Sequence, residues 1–352
     1  MTQPSSDQRL TVPAPGGQVL EVLTSGPEEG LALVFHTGTP AGLVGLGPMA
    51  GAVAARGLRT VLYARPGYGG STSRPGRLVA DAAADVAAIL DRLRIDEFVT
   101  AGSSGGGPHA LACAALLPVR CLAAATIAGV APCDSPGLDW LAGMGTENVE
   151  EFAAAGAGEA DLTRFLEAAA PALRDVTGAA VADGLGGLVS AADRAVITGE
   201  FADHLAASLR AALSTGIDGW RDDDLAFSRD WGISLEALGH ATPVAVWQGD
   251  QDRMVPPAHG AWLAANIPRA RARLRPGEGH HTLVANGFGE ILDDLLALAG
   301  RRRPGPLCDQ LPSARAPGRV LAPFFPVLLC FLGSVRGGFS RWWAGGRRCR
   351  AR

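Results

Sequence analysis

Ser104 sits between glycines in Gly102-Ser103-Ser104-Gly105-Gly106, where an apolar run beginning at Phe98 breaks off. A serine hydroxyl becomes a nucleophile when a histidine takes its proton, and that histidine needs a carboxylate to fix its tautomer. Two later segments offer such partners. Gly249-Asp250-Gln251-Asp252-Arg253-Met254-Val255-Pro256 carries acids, and Gly277-Glu278-Gly279-His280-His281 carries histidines, each directly after an apolar run. Asp252 is favoured over Asp250, because it lies farther past the run and three residues before Val255. His280 is favoured over His281, because it directly follows Gly279. Asp134 is a further candidate acid after an earlier strand. His109 reads as a helix residue beside the turn rather than a base, and His36 either orients a pocket loop or ends a strand.

The elements that would position these groups can be read from hydrophobic pattern. Short apolar runs at 31–35, 60–64, 98–103, 122–127, 243–248 and 270–274 read as strands. Between them, helical spacing predicts helices over 49–56, 81–93 and 108–117, with a final one over 288–298. Gly57 would stop the first, and the acids that open 81–93 suit a helix N-terminus. Alternation of this kind argues for an α/β protein with a largely parallel sheet covered on both faces. From 134 to 240 it stops. That stretch is helix-like and acidic, holds Trp140, Trp220 and Trp231, and reads as a helical cap inserted between two late strands. The tryptophans, taken singly, read as packing. The predicted division is a core of 1–133 and 241–300, a cap of 134–240, and a tail of 301–352.

Composition narrows the function classes. Residues 1–300 hold 20 Arg and 34 Asp or Glu, whereas 301–352 hold 11 Arg and one Asp. An acidic body argues against nucleic acid as a partner. The start of the chain lacks the basic and apolar pattern of a secretory signal. Cys113, Cys121, Cys133, Cys308, Cys330 and Cys349 show no CxxC pair or metal spacing, and Cys113 and Cys121 read as buried thiols. No phosphate-cradling glycine loop is visible elsewhere, so no metal and no cofactor is expected, and the compartment expected is the cytoplasm. In the tail, 320–335 is uncharged and followed by Arg336, Arg341, Arg347, Arg348, Arg350 and Arg352. Such a segment could attach to a membrane. It is short for a span and contains Pro323 and Pro326, so a disordered extension is the simpler expectation.

Strand, sharp turn and helix around Gly-x-Ser-x-Gly define a nucleophile elbow, and the chain order Ser, Asp, His matches it. With His36-Thr37-Gly38-Thr39-Pro40, Arg65-Pro66-Gly67-Tyr68-Gly69-Gly70-Ser71, and Gly249-x-x-Asp252-x-x-Val255-Pro256 followed by Gly279-His280, the chain resembles the α/β-hydrolase superfamily over about residues 10–300. The resemblance implies the α/β-hydrolase fold and a triad of Ser104, Asp252 and His280. It also implies an oxyanion hole made by the backbone N–H groups of Gly105 and Thr39. One departure stands out: the family places His directly before the Gly of the first motif, and here Thr37 occupies that position.

The expectation is a serine hydrolase that cleaves a small, largely apolar carboxylic ester or related acyl compound in a mainly neutral pocket. A close alternative is an aminopeptidase of the proline-iminopeptidase type, whose substrate amino group could be held by Asp222, Asp223 and Asp224 or by Glu147, Glu150 and Glu151. Charge runs of that kind are usually solvated. Relatives that open epoxides or displace halide carry a carboxylate at the elbow, which Ser104 excludes. An alternative of another class is a non-catalytic binding protein, attached to a membrane or partner through its tail.

Overall fold

The computed structural model describes residues 7–301. Its eight-stranded sheet has the order β1-β2-β4-β3-β5-β6-β7-β8. The hairpin of β1 (Gln8–Ala14) and β2 (Gln18–Ser25) is antiparallel, and β2 runs antiparallel to β4 (Arg59–Tyr63). From β4 onward every pairing is parallel, through β3 (Ala32–His36), β5 (Phe98–Ser103), β6 (Cys121–Ile127), β7 (Val244–Gly249) and β8 (Arg271–Arg275). The parallel sheet expected from the sequence is present, with an antiparallel hairpin added at one edge that the apolar-run pattern had not indicated.

The central strands are apolar on both sides because both sides are covered. Alternate residues divide between two cores. Leu33, Phe35, Val99, Ala101, Ala123, Ala125 and Trp247 pack with α1 (Ala50–Ala54) and the final helix. Ala32, Val34, Phe98, Ala124, Val244 and Val246 pack with α2 (Asp81–Leu93) and α3 (Gly106–Leu116). On α2, Val86, Ile89 and Leu90 form the buried stripe that helical spacing predicted.

Between β6 and β7 the chain forms α4 (Thr146–Ala157), α5 (Glu159–Arg174), α6 (Val181–Gly184), α7 (Ala191–Val196), α8 (Gly199–Ala212), α9 (Asp218–Phe227) and α10 (Leu235–Ala241). Among the described residues of this insertion there is no strand. It keeps an apolar cluster of its own around Val176, Val181, Ile197, Ala206 and Leu209. After β7 come α11 (Pro257–Asn266), β8 and α12 (Thr282–Leu298). The first predicted helix is shorter than expected, beginning after a 3₁₀ turn at 47–49. The last one begins six residues earlier than the hydrophobic pattern indicated, for a reason that belongs to the site.

Among the described residues no helix is long and apolar enough to cross a membrane. The expectations for the tail, with Cys308, Cys330 and Cys349, concern 302–352 and lie outside the described residues.

Candidate active site

Parallel strands deliver their C-terminal ends to one edge of the sheet, so loops far apart in sequence meet there. His36 on β3 is paired in register with Gly102 on β5, which brings the loop 37–39 beside the elbow. Ser104 takes φ +55°, the left-handed region that L-residues enter at a cost of about 1–2 kcal/mol. Its N–H donates to the Ile127 carbonyl at 2.8 Å, and its carbonyl accepts from Gly107 N–H at 2.9 Å. A side chain at Gly102 would strike the Gly106 carbonyl, and one at Gly106 would strike the His36 carbonyl. The turn therefore exists only with those glycines, and it leaves Ser104 lining a cavity of about 420 Å³.

His280 lines the same cavity. Its Nδ1 donates to Asp252 Oδ2 at 2.9 Å, with both residues buried. Asp252 is locked in turn: Oδ1 accepts the N–H groups of Met254 and Val255 at 2.9 Å each, and Oδ2 also accepts Gln248 Nε2 at 3.2 Å. Burial alone would lower the His280 pKa, but the charge and hydrogen bond of Asp252, aided by Asp193, carry it above the ordinary value of 6.5. Of the alternatives, Asp250 instead ties its loop to the one after β8 by accepting Gly277 N–H at 2.8 Å. Asp134 is exposed and does not line the cavity. His281 does line it, yet burial, then the neighbouring His280, pushes its pKa down to about 3.

Asp193 is a functional group that sequence reasoning missed. It lies on α7 in the insertion, fully buried, and its carboxylate accepts three consecutive N–H groups: His280 at 3.0 Å, His281 at 2.7 Å and Thr282 at 3.2 Å. Those are orphan donors at the start of α12, and an acid there also complements the helix dipole. This long-range cap is why α12 begins early. A Cβ on Gly279 would run into the Asp193 carboxylate, so the glycine before the histidine makes room for the clamp. No local pattern around residue 193 could have signalled a partner nearly ninety positions away.

Thr39 and Gly105, the expected oxyanion donors, both line the cavity beside Ser104. Behind the loop lies a buried cation knot. Asp223 on α9 accepts Arg65 Nη2 at 2.6 Å, Arg77 Nη2 at 2.6 Å, Tyr68 OH at 2.9 Å and Thr39 Oγ1 at 2.7 Å. Arg65 also donates to the carbonyls of Thr37 and Gly38, at 2.7 Å each. Burial would raise the Asp223 pKa, but Arg65 and Arg77 more than reverse this and hold it far below the usual range. With Thr37 where the related motif has histidine, the backbone of 37–39 is gripped by a guanidinium. His109 donates Nδ1–H to the Gly105 carbonyl at 2.8 Å, and burial, then Arg65, lowers its pKa to about 3. It is a helix residue beside the elbow, as expected. His36 lies buried between Tyr63 and Cys113 and does not reach the cavity.

The cavity is not the neutral one expected. Alongside apolar residues such as Phe35, Phe165, Leu173 and Phe201 it is lined by Glu147, Glu150 and Glu151 of α4 and Asp224 of α9. The run Asp222-Asp223-Asp224 is likewise not solvated, since all three are buried. Of the three tryptophans, Trp220 lines the cavity and Trp140 and Trp231 do not.

Residues 32–286 match the family model described as the alpha/beta hydrolase fold. The chain belongs to the α/β-hydrolase family, and it is a hydrolase. No curated protein matches it. Among solved structures it is similar to an alpha/beta hydrolase fold protein from Nakamurella multipartita, at 22% identity, TM-score 0.57, and coverage of 83% of this chain and 100% of that one. It is also similar to an esterase from a Rhodococcus species, at 20% identity, TM-score 0.57, and coverage of 82% and 98%. A third is the enol-lactonase from Burkholderia xenovorans, at 19% identity, TM-score 0.58, and coverage of 82% and 100%. At these identities the likeness concerns the fold.

Proposed function

We propose that the protein is a serine hydrolase that cleaves a carboxylic ester or related acyl compound, with a small and largely apolar acyl portion, beneath a cap formed by the insertion. The observation that carries this reading is the left-handed Ser104 turn facing one cavity with a His280 whose Nδ1 is held by a locked Asp252. Ser104 Oγ attacks the carbonyl carbon while His280 Nε2 takes its proton. The C–O π electrons move onto oxygen, and the N–H groups of Gly105 and Thr39 stabilise the resulting oxyanion. As the tetrahedral centre collapses, His280 returns the proton to the leaving group and an acyl-serine remains. Water then repeats the sequence, giving the acid and free Ser104. Asp252 keeps Nδ1 protonated throughout, so that Nε2 is the basic nitrogen.

The test is hydrolysis of p-nitrophenyl esters from acetate to octanoate by wild type and Ser104→Ala. The expected result is a loss of about 10³-fold or more in the variant. Turnover that survives the substitution, or a wild type that neither turns over esters nor reacts with a fluorophosphonate, would overturn the reading.

A further inference from the structure

The carbonyl of Gly38 and the N–H of Thr39 are the two ends of one peptide group. The N–H is an expected oxyanion donor, and the carbonyl accepts Arg65 Nη2 at 2.7 Å. Hydrogen bonds linked through one group polarise each other, so a guanidinium on the carbonyl makes the N–H at the far end a stronger donor. The same guanidinium also fixes the direction of that peptide. Its Nη1 donates to the Thr37 carbonyl at 2.7 Å, and Nη2 donates to Thr39 Oγ1 at 3.0 Å. Arg65 is held in turn by Asp223, which accepts Nε at 3.1 Å and Nη2 at 2.6 Å. Burial works against the charge of Arg65, but Asp223 more than reverses this and keeps its pKa above the ordinary value. Thr39 Oγ1 donates to Asp223 Oδ2 at 2.7 Å, so the threonine is tied to both members of the pair.

The second expected donor packs against the same device. A Cβ on Gly105 would collide with the Thr39 hydroxyl and press on the Phe227 ring. Asp223 and Phe227 are four residues apart on α9, hence on one face of that helix. That face backs Thr39 with a carboxylate and Gly105 with a ring. Charge acts in the same sense. Arg65 and Arg77 share the one carboxylate, and His109 is neutral, so the buried knot is net positive behind the loop. Positive charge held away from water stabilises an anion that develops nearby.

We propose that Arg65, seated on Asp223 of the insertion, is a positioning residue of the oxyanion hole: it aims and polarises the Gly38–Thr39 peptide. Neither Arg65 nor Asp223 lines the cavity, so the effect passes through the Thr39 N–H rather than by contact with substrate. As negative charge forms on the attacked carbonyl oxygen, the Thr39 N–H bond to it strengthens. The electron density this pushes onto the Gly38 carbonyl oxygen is met by the guanidinium. The segment Arg65 to Ser71, which the sequence marked without a role, thereby gains one through Arg65. The proposal rests on the hydrolase reading and adds to it the group that prepares one of its two oxyanion donors.

The test compares an n-alkyl trifluoromethyl ketone with the methyl ketone of equal chain length, as inhibitors of p-nitrophenyl ester turnover. In the first, Ser104 Oγ adds to the carbonyl carbon, His280 takes the serine proton, and an oxyanion is left in the hole. The second fills the same space without adding. Wild type is expected to prefer the trifluoromethyl ketone by about 10²-fold or more. Arg65→Lys keeps a charge against Asp223, but one ammonium does not reproduce the guanidinium fork on both carbonyls. It should cut the preference by about tenfold or more and lower kcat, with KM near that of wild type. Should that variant fail to fold, Thr39→Val stands in for it and should lose part of the preference. It keeps the side-chain shape and leaves Asp223 its two arginines and Tyr68. Tyr68→Phe is the control: it removes a donor from Asp223, keeps the ring beneath Arg65, and should leave the preference as in wild type. Lost stability alone does not move this ratio, because both ketones bind the same folded site. An undiminished preference in Arg65→Lys, or in Thr39→Val where it stands in, overturns the proposal, and so does an equal fall in Tyr68→Phe; each leaves the hydrolase reading standing. No preference in wild type overturns both.

Discussion

Asp223 and Asp224 are neighbours on α9 and live in opposite surroundings. The helix turns about 100° between them, which sends one carboxylate behind the loop 37–39 and the other to the cavity wall. Asp223 is met by two guanidinium groups and two hydroxyls, and it stays ionised. Asp224 meets another carboxyl, and its pKa rises. The first arrangement is finished, in that both carboxylate oxygens have donors. The second is a pair of acids, Asp224 and Glu151, that hydrogen-bond to each other. Asp193 and Asp252 belong with Asp223, because backbone and side-chain donors satisfy both.

Substitutions that change charge and little else can break this contrast. The largest effect is expected at Asp252→Asn, where an amide can hold the wrong His280 tautomer; kcat/KM should fall by about 10⁴-fold while the protein stays folded. Asp223→Asn should lower stability by about 3–5 kcal/mol in urea unfolding, since it leaves Arg65 and Arg77 buried without their counter-charge. A loss under about 1 kcal/mol would mean that the knot does not anchor the loop 37–39. Asp193→Asn keeps the size of the clamp but removes its charge. Because Asp193 helps raise the His280 pKa, and the proposed mechanism needs His280 neutral, the rate should rise with pH through a value above 6.5. The variant should shift that limb to lower pH and reduce kcat/KM by about tenfold.

The smallest effect is expected at Asp224→Asn at about pH 4, where a carboxyl whose pKa is raised well above 3.8 is neutral like the amide. Its sign depends on pH. The folded-state pKa of Asp224 is raised above 3.8, so wild type loses stability as pH climbs through and beyond that ordinary value, whereas the amide does not. Melting curves from about pH 4 to pH 8 should show the variant gaining on wild type as pH rises. A flat difference would mean that Asp224 is already ionised and paired.

The parts readable from sequence were those whose physics is local. Apolar runs gave the parallel strands, and Gly102 and Gly106 marked a turn that no other residue permits. Asp252 stood out by lying farther past its strand and three residues before Val255, and the structure gives that spacing a physical sense, since one carboxylate oxygen accepts two backbone N–H groups of its own loop. The hairpin of β1 and β2 was missed because its strands alternate and contain Gln, Glu and Thr, unlike the continuous apolar runs used to find the rest. A search for period-two alternation on either side of Pro15-Gly16-Gly17 would have found it.

The sequence alone therefore determined the parallel sheet, the glycine-flanked turn at Ser104 and the order of Ser104, Asp252 and His280, because these arise from hydrophobic period, turn sterics and loop spacing, while its motifs carried the resemblance to the α/β-hydrolase family. Only the tertiary structure decided that Asp193 grips the His280 loop, that Arg65 holds 37–39, and that one acid of a charged run meets two arginines while the next meets another carboxyl. Those outcomes depend on which groups meet across 87 or 158 positions of chain. A buried charge takes its protonation state from the partners that packing brings to it, and a run of three aspartates carries no mark of which way each will face.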